Sequence, residues 1–293
     1  MKIKSMFYRD GIWAFLMLLP NVVGFLMFLL LPVLATFAIS FTDWDLSTDI
    51  GFVGFDNYKE LVHDEVFHQV FWNTLYFTAV SVPIGIAVSL LLAIALNQKI
   101  RFVRFYRAAF FFPVISSFVA VAILWQWIYN PQFGLLNYAL GMLGIKGPLW
   151  LTSPDWAMPA VILASIWKNL GFSMLIFLAG LQSISESYYE AADIDGASSL
   201  SKFWHITVPL LSPTTFFITV ISVINSFQVF DTVYLMTQGG PARSTSVLVS
   251  YVFENAFQYF QMGYASAIAY VLFFLVLIVT FIQFWRQKKL SIY

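Results

Sequence analysis

The sequence has no cysteine and very little charge. Its 293 residues include 15 basic and 15 acidic side chains, only 10% of the chain, and 60% are hydrophobic. The absence of cysteine excludes disulfides, thiolate metal sites and a cysteine nucleophile. Soluble domains usually carry about a quarter charged residues. With a mean hydropathy of +0.80, this chain cannot cover itself with water-facing surface, so we predict that it lies in a lipid membrane.

Several functional motifs are also missing. No segment matches G-x-x-x-x-G-K-[ST], so the chain is not expected to bind ATP itself. The stretch HDEVFH spaces His63 and His68 five residues apart, not four as in a zinc-protease HExxH helix, so we interpret it as a polar external loop without metal. The zero net charge gives no indication of a nucleic-acid partner.

The apolar residues form long blocks. A membrane-spanning helix needs about 20 apolar residues to cross about 30 Å of hydrocarbon. We therefore predict an all-α, polytopic protein forming one membrane domain over residues 1–293. The first span is interpreted as uncleaved; Pro20 and Pro32 make one straight helix unfavourable, and an interfacial elbow fits as well. The six predicted spans are Ile12–Ser40, Phe71–Leu96, Tyr106–Tyr129, Trp156–Leu181, Pro213–Met236 and Tyr264–Trp285.

The distribution of lysine and arginine predicts the orientation. Segments that share a side with the N-terminus hold eleven basic residues, whereas the opposite loops hold only three. Because cytoplasmic loops are enriched in positive charge, we predict that both termini are cytoplasmic. The eleven are Lys2, Lys4, Arg9, Lys99, Arg101, Arg104, Arg107, Lys202, Arg286, Lys288 and Lys289; the three are Lys59, Lys146 and Arg243.

The cytoplasmic loop at residues 183–212 is unlike the other loops. We predict two short helices, the first capped by Ser185 or Ser187 and the second ended by Pro209. Gly196 supplies the backbone freedom for the turn between them. The second helix has an apolar face, which also suits an amphipathic connector lying on the membrane. That face consists of Leu200, Phe203 and Trp204.

The same loop resembles the EAA signature of ABC-importer permeases. Its extended form is similar to that of the carbohydrate importers, and Val208 is a conservative departure from the usual leucine. The segments FVGFDNY, LAGLQSI and FQVFDTVYLMTQGGP agree with the resemblance, which covers nearly the whole chain. The matching loop positions are Glu190, Ala191, Ala192, Asp195, Gly196, Ala197, Phe203, Ile206, Pro209 and Pro213.

The resemblance implies the function and the partners. The chain would be one permease subunit of a binding-protein-dependent importer in a bacterial or archaeal cell membrane, with no cofactor of its own. Two partner ATPase subunits would hold ATP and Mg²⁺, a second related permease would complete the pore, and an external binding protein would deliver the sugar. The loop would enter a cleft on the ATPase through Glu190, Ala191, Ala192, Asp195, Gly196, Ala197, Phe203 and Pro209.

Polar residues inside two spans suggest the substrate pathway. Lys168 lies about halfway along the fourth predicted span, where a charge costs roughly 2.5–3.5 kcal/mol on insertion scales. Asp231 lies near the outer end of the fifth, preceded by Asn225 and Gln228. We expect these four to face a watery cavity in which Lys168 can pair with Asp231. In the alternative interpretation, the two charges pair elsewhere and only hold helices together.

Three other functions compete with oligosaccharide or glycoside import. Glycerol-phosphate importers have similar permeases, and a basic cavity would favour that substrate. An ion-driven secondary transporter would need inverted repeats with broken midplane helices, which are not evident. A membrane-embedded enzyme would need acids, histidines or a nucleophile clustered within the spans, and these are missing.

Overall fold

The regular secondary structure is helical throughout the part of the chain described by the computed structural model, residues 2–46, 49–98 and 100–290. This confirms the predicted all-α fold. The α-helices are α1 Lys2–Phe25, α2 Leu31–Ile39, α3 Asp56–His63, α4 Glu65–Leu96, α5 Val103–Ile115, α6 Phe118–Ile128, α7 Leu135–Met142, α8 Pro154–Gln182, α9 Glu186–Ile194, α10 Ser199–Lys202, α11 Val208–Leu210, α12 Ser212–Phe227, α13 Asp231–Thr237, α14 Leu248–Phe253 and α15 Met262–Leu290. Three π-helical segments add Leu26–Leu30, Phe203–Thr207 and Glu254–Gln258.

Four helical stretches in the described residues are long and apolar enough to cross a membrane singly: Trp13–Ile39, Glu65–Leu96, Pro154–Gln182 and Met262–Gln287. Two further spans are broken. Helices α5 and α6 are bent by 104°, and the stretch Ser199–Leu210 is bent by 65° from α12. If each bent pair crosses once, the chain has the six spans expected from its sequence.

The segment predicted to be a polar loop, HDEVFH, is instead helical on both sides of Asp64, which separates α3 from α4. Helix α4 begins at Glu65, six residues before the predicted start of the second span at Phe71. Asp64 caps it, because its Oδ1 accepts a hydrogen bond from the backbone N–H of Val66 at 2.8 Å. Glu65 in the first turn further favours this helix end through the helix dipole. The span prediction, which followed apolar residues, started too late because the first turn of α4 contains polar residues.

Two π-helical segments each stand just before a proline. Leu26–Leu30 precedes Pro32, and Phe203–Thr207 precedes Pro209. Proline removes an amide and crowds the carbonyl four residues earlier, which here belongs to the π-helical segment. The widened turn accommodates this clash, so the helical backbone continues. The helix that Pro209 was predicted to end does end close to it, at Leu210, one residue further on, and the bend follows there.

One compact unit comprises the chain up to His63 together with Val252–Val271. Within it, Asn57 donates to the backbone oxygens of Ser40 and Thr42 at 2.9 and 2.8 Å. The N–H of Gly263 donates to the oxygen of Trp44 at 3.1 Å. A Cβ on Gly263 would stand 1.9 Å from the Thr42 oxygen, so glycine is required there.

The second unit comprises Asp64–Tyr251 and the chain from Leu272 onward. Helix α8 forms its centre, with Val161, Met174 and Phe177 fully buried. Gly171 lets α8 approach α5 closely, because a Cβ there would lie 2.2 Å from the Phe110 oxygen. Small residues at helix contacts are a general device of membrane proteins, since packing rather than hydrophobic exclusion holds their helices together.

Candidate functional site

A cavity of about 460 Å³ lies within the second unit, between α4, α8 and α12. Its walls combine apolar side chains with hydroxyl and amide groups. This is unusual inside a bundle of apolar spans, where exposed polar groups mark solute pathways or helix contacts. The polar lining residues used below are Ser81, Ser89, Ser165, Asn169, Ser173, Asn225, Gln228 and Asp231.

Helix α8 presents a polar stripe to the cavity. Ser165, Asn169 and Ser173 are spaced four residues apart, which places them on one helical face. The side-chain amide of Asn169 donates to the Ser165 backbone oxygen at 2.9 Å. The Ser165 hydroxyl is buried without a hydrogen-bond partner in the described chain. The stripe therefore offers free hydrogen-bonding capacity to a guest in the cavity.

Helix α4 presents a second stripe of small residues, Ser81, Gly85 and Ser89, again four residues apart. Ser89 is buried and its hydroxyl donates to the Leu170 oxygen at 3.3 Å, so it also joins α4 to α8. Our sequence interpretation missed both stripes. Polar or small residues at i, i+4 and i+8 within an apolar block were the available signal.

Three of the four sequence-predicted pathway residues line this cavity. Helix α12 ends at Phe227, well before the predicted end of the fifth span at Met236, and the chain turns before α13 begins at Asp231. Asn225 at the end of α12, Gln228 on the turn and Asp231 at the start of α13 are exposed and line the cavity. The structure thus brings an amide pair and a carboxylate together at the end of a helix.

The fourth residue, Lys168, does not line the cavity. Its side chain is buried, and the ammonium contacts the backbone oxygens of Pro113 and Val114 at 3.4 and 3.3 Å. It also lies 4.1 Å from the centroid of the Phe118 ring. The expected direct pairing with Asp231 is wrong, because no ion pair within 4.0 Å joins Lys168 to Asp231 in the described part of the chain.

The loop at residues 183–212 has the predicted helix–turn–helix form at its start. Ser185 caps α9, its hydroxyl accepting from the N–H of Ser187 at 3.4 Å. At the other end, the N–H of Ala197 donates to the Ala192 oxygen, and that of Gly196 to the Asp193 oxygen. This is a Schellman motif, which needs a left-handed residue. Gly196 provides it with φ of +74°.

Two contacts join the halves of the loop. Lys202 donates to Asp193 at 2.6 Å, and the Tyr189 hydroxyl lies 3.0 Å from that of Thr207. The sequence-predicted coupling residues form much of the outer surface of this turn. Glu190, Ala191, Asp195, Gly196 and Pro209 are exposed, whereas Ala192, Ala197 and Phe203 are half-buried.

Residues 81–292 match the family described as the binding-protein-dependent transport system inner membrane component. The chain is 38% identical to the probable ABC transporter permease protein YesP of Bacillus subtilis, over 97% of this chain and 93% of the relative. It is 36% identical to the arabinooligosaccharides transport system permease protein AraP of the same bacterium, over 96% and 90%. A solved structure of a bacterial alginate ABC transporter, in complex with alginate pentasaccharide-bound periplasmic protein, is similar with a TM-score of 0.84 and 26% identity, over 97% and 96%.

Proposed function

The chain belongs to the family of inner membrane components of binding-protein-dependent transport systems, and we propose that it forms half of a translocation pathway for an oligosaccharide or related glycoside. Membership confirms the resemblance to ABC-importer permeases: this is a multi-pass membrane permease subunit and not an enzyme. The observation that carries the substrate proposal is the cavity, whose hydroxyl and amide groups converge inside an otherwise apolar unit.

The chemistry of the cavity suits a sugar. Sugars present many hydroxyl groups, and a site built to hydrogen-bond them rejects solutes that lack them, because its own polar groups would then be left unpaired. Asn169, Asn225 and Gln228 supply amides that both donate and accept. The rings of Phe77 and Phe230 add apolar surface beside them. The named solutes of AraP and of the alginate transporter are saccharides, which supports the same class here.

The charge of the cavity disfavours glycerol phosphate. Asp231 is an acid among its described lining residues, and none of those residues is basic. A phosphate is itself negative, so the Asp231 carboxylate would repel it and no lining cation would balance its charge. The family membership, in turn, favours ATP-driven import with a binding protein over an ion gradient.

The substrate proposal is tested by uptake of labelled oligosaccharides into cells that express the complete transporter. Asn225→Ala and Gln228→Ala should lower uptake while the amount of membrane-inserted protein stays the same. Thr219→Val is the matched control, because Thr219 is on the same helix but outside the cavity, where its hydroxyl bonds only the Thr215 oxygen. Parent-level uptake by both alanine variants would remove this cavity from the pathway.

The helix–turn–helix at Gly196 is proposed as the docking element for the ATPase subunit. Its support is the exposure of Glu190, Ala191 and Asp195 on a turn held rigid by the Schellman bonds and the Lys202–Asp193 ion pair. Glu190→Lys should weaken co-purification of the ATPase, because the charge at the contact is reversed. Undiminished co-purification and ATP-driven uptake would place the contact elsewhere.

Both termini and this loop are proposed to be cytoplasmic, on the basis of the charge distribution. The alginate transporter was solved with a periplasmic protein, which supports an external binding protein for this chain. The absence of natural cysteine makes single-cysteine labelling clean. Cysteine at the exposed Gly141 should react with an impermeant thiol reagent in intact cells, and cysteine at the exposed Ser199 only after lysis. The reverse pattern would invert the topology.

A further inference from the structure

The break between α5 and α6 places polar backbone inside the second unit. Helix α5 ends at Ile115, Ser116 has extended backbone with ψ of 146°, and Ser117 follows with ψ of 139° before α6 begins at Phe118. The last carbonyls of a helix have no partner within it. In a membrane protein each such group must find one, because the hydrocarbon supplies no water.

Lys168 supplies such a partner from another helix, in addition to the Ser116 N–H that already donates to the Pro113 oxygen at 3.2 Å. Its ammonium contacts the oxygens of Pro113 and Val114, both in the last turn of α5. A cation is favoured at this point because the helix dipole concentrates negative partial charge at a C-terminus. The same ammonium lies over the ring of Phe118, the first residue of α6. One side chain therefore holds the end of one half-helix and the start of the next.

Two residues close to the break, one on each half-helix, belong to the cavity wall. Val114 and Phe118 line the cavity, as do Ser165 and Asn169 on either side of Lys168 in α8. Three residues further along α8, Gly171 fixes the crossing with α5 through its close approach to Phe110. Two contacts therefore set the position of this wall. The backbone of Gly171 packs against that of Phe110, and the buried ammonium of Lys168 contacts the α5 carbonyls.

We propose that Lys168 is a positioning residue, whose ammonium stabilises the sharp break at Ser116–Ser117 and thereby holds Val114 and Phe118 in the cavity wall. It contacts the protein backbone and not the solute. Of the two measurements that test this inference, only the uptake of saccharide depends on the proposed function. The positioning role explains how a lysine is accommodated at a buried position of a membrane span, where charge is costly.

The test measures the geometry of the break directly. Spin labels are attached to cysteines replacing Phe105 and Trp127, which are both exposed, one on each half-helix. A continuous helix would separate these positions by about 33 Å at 1.5 Å per residue, whereas the 104° bend brings them to about 20 Å. The label distance is measured in the complete transporter in lipid, with Lys168 and with Lys168→Met, Lys168→Arg or Asn169→Ala.

The expected result separates positioning from solute contact. Lys168→Met should shift part of the distance distribution toward the longer value and lose uptake, whereas Lys168→Arg should restore both. Asn169→Ala should lower uptake with the label distance unchanged. A Met variant that keeps the short distance overturns the proposal, whatever its uptake.

If Lys168→Met does not accumulate, Lys168→Gln replaces it, because glutamine keeps a neutral donor for the carbonyls. If the distribution of label distances is broader in Lys168→Gln than in the parent and as narrow as the parent's in Lys168→Arg, the positioning role is supported. If Lys168→Gln loses uptake while its label distance stays that of the parent, the positioning role is refuted. If even the parent complex imports no saccharide, the proposed function fails while the label distances still decide the role of Lys168.

Discussion

Helices α9 and α5 both end in a sharp turn, but their ends are stabilised from different places. The end of α9 is local: the Schellman bonds come from Gly196 and Ala197, and a Cβ on Gly196 would meet nothing within 4 Å. The end of α5 is non-local: its carbonyls contact Lys168, 55 and 54 residues away along the chain. The first end is stabilised by neighbouring residues alone, whereas the second combines a local bond, from the Ser116 N–H to the Pro113 oxygen, with the Lys168 contacts from α8.

This difference predicts how each end responds to substitution. A change at the local end should strain one turn and leave the helical bundle assembled. A change at the non-local end should disturb the packing of α5 against α8, because the same face carries the Gly171 crossing and the Lys168 contacts. Three substitutions measure the contrast, from the largest expected effect to the smallest.

The largest effect is expected from Gly171→Ala. The added methyl would lie 2.2 Å from the Phe110 oxygen and 2.8 Å from the Phe111 Cα, so backbone must move. Overpacking of this kind costs about 1–3 kcal/mol. We expect a lower midpoint of thermal unfolding in detergent and reduced uptake. Gly141→Ala is the matched control, because a Cβ there meets nothing within 4 Å in helix α7. Equal midpoints for the two variants would mean that the helix crossing is not close.

The second prediction concerns the local turn. Gly196→Val should cost about 1–3 kcal/mol of backbone strain, because a β-branched residue disfavours positive φ. Gly196→Asn should cost less, since asparagine tolerates the left-handed region. Both variants should unfold thermally like the parent bundle, while only Val weakens ATPase co-purification or uncouples hydrolysis from uptake. Normal uptake by Gly196→Val at normal expression would refute the coupling role of the turn.

The smallest effect is expected from the ion pair between the halves of the loop. Lys202 and Asp193 are joined at 2.6 Å, but the Asp193 side chain is 63% exposed. Exposed pairs contribute about 0.2–1 kcal/mol and weaken with added salt. Lys202→Met should therefore slightly weaken ATPase co-purification at low ionic strength, with the difference from the parent disappearing at high salt. The double exchange Lys202→Asp with Asp193→Lys should restore the contact; no restoration would argue that Lys202 acts by some other means.

Prediction from the sequence succeeded for features that are determined by residues close together in the chain. Apolar blocks predicted the spans, Ser185 was one of two predicted caps for α9, and Gly196 was predicted to turn the chain. It did not foresee the π-helical turn before Pro209, which lets the helix run one residue past that proline to Leu210. It also missed the polar stripe on α8, since Ser165, Asn169 and Ser173 are separated by apolar residues that conceal a single face.

By itself, the sequence determined that this chain lies in a membrane, which stretches are apolar enough to span it and how its exposed loop turns. These properties depend on hydropathy over about 20 residues and on backbone preferences of single residues. Only the tertiary structure decided that the third predicted span is broken at Ser116–Ser117 and that Lys168 contacts carbonyls instead of forming a direct ion pair with Asp231. The partner of a buried charge is the group that tertiary packing places beside it. Such groups can lie far apart along the chain, as Lys168 and Val114 do, so no periodic pattern in the sequence predicts the contact.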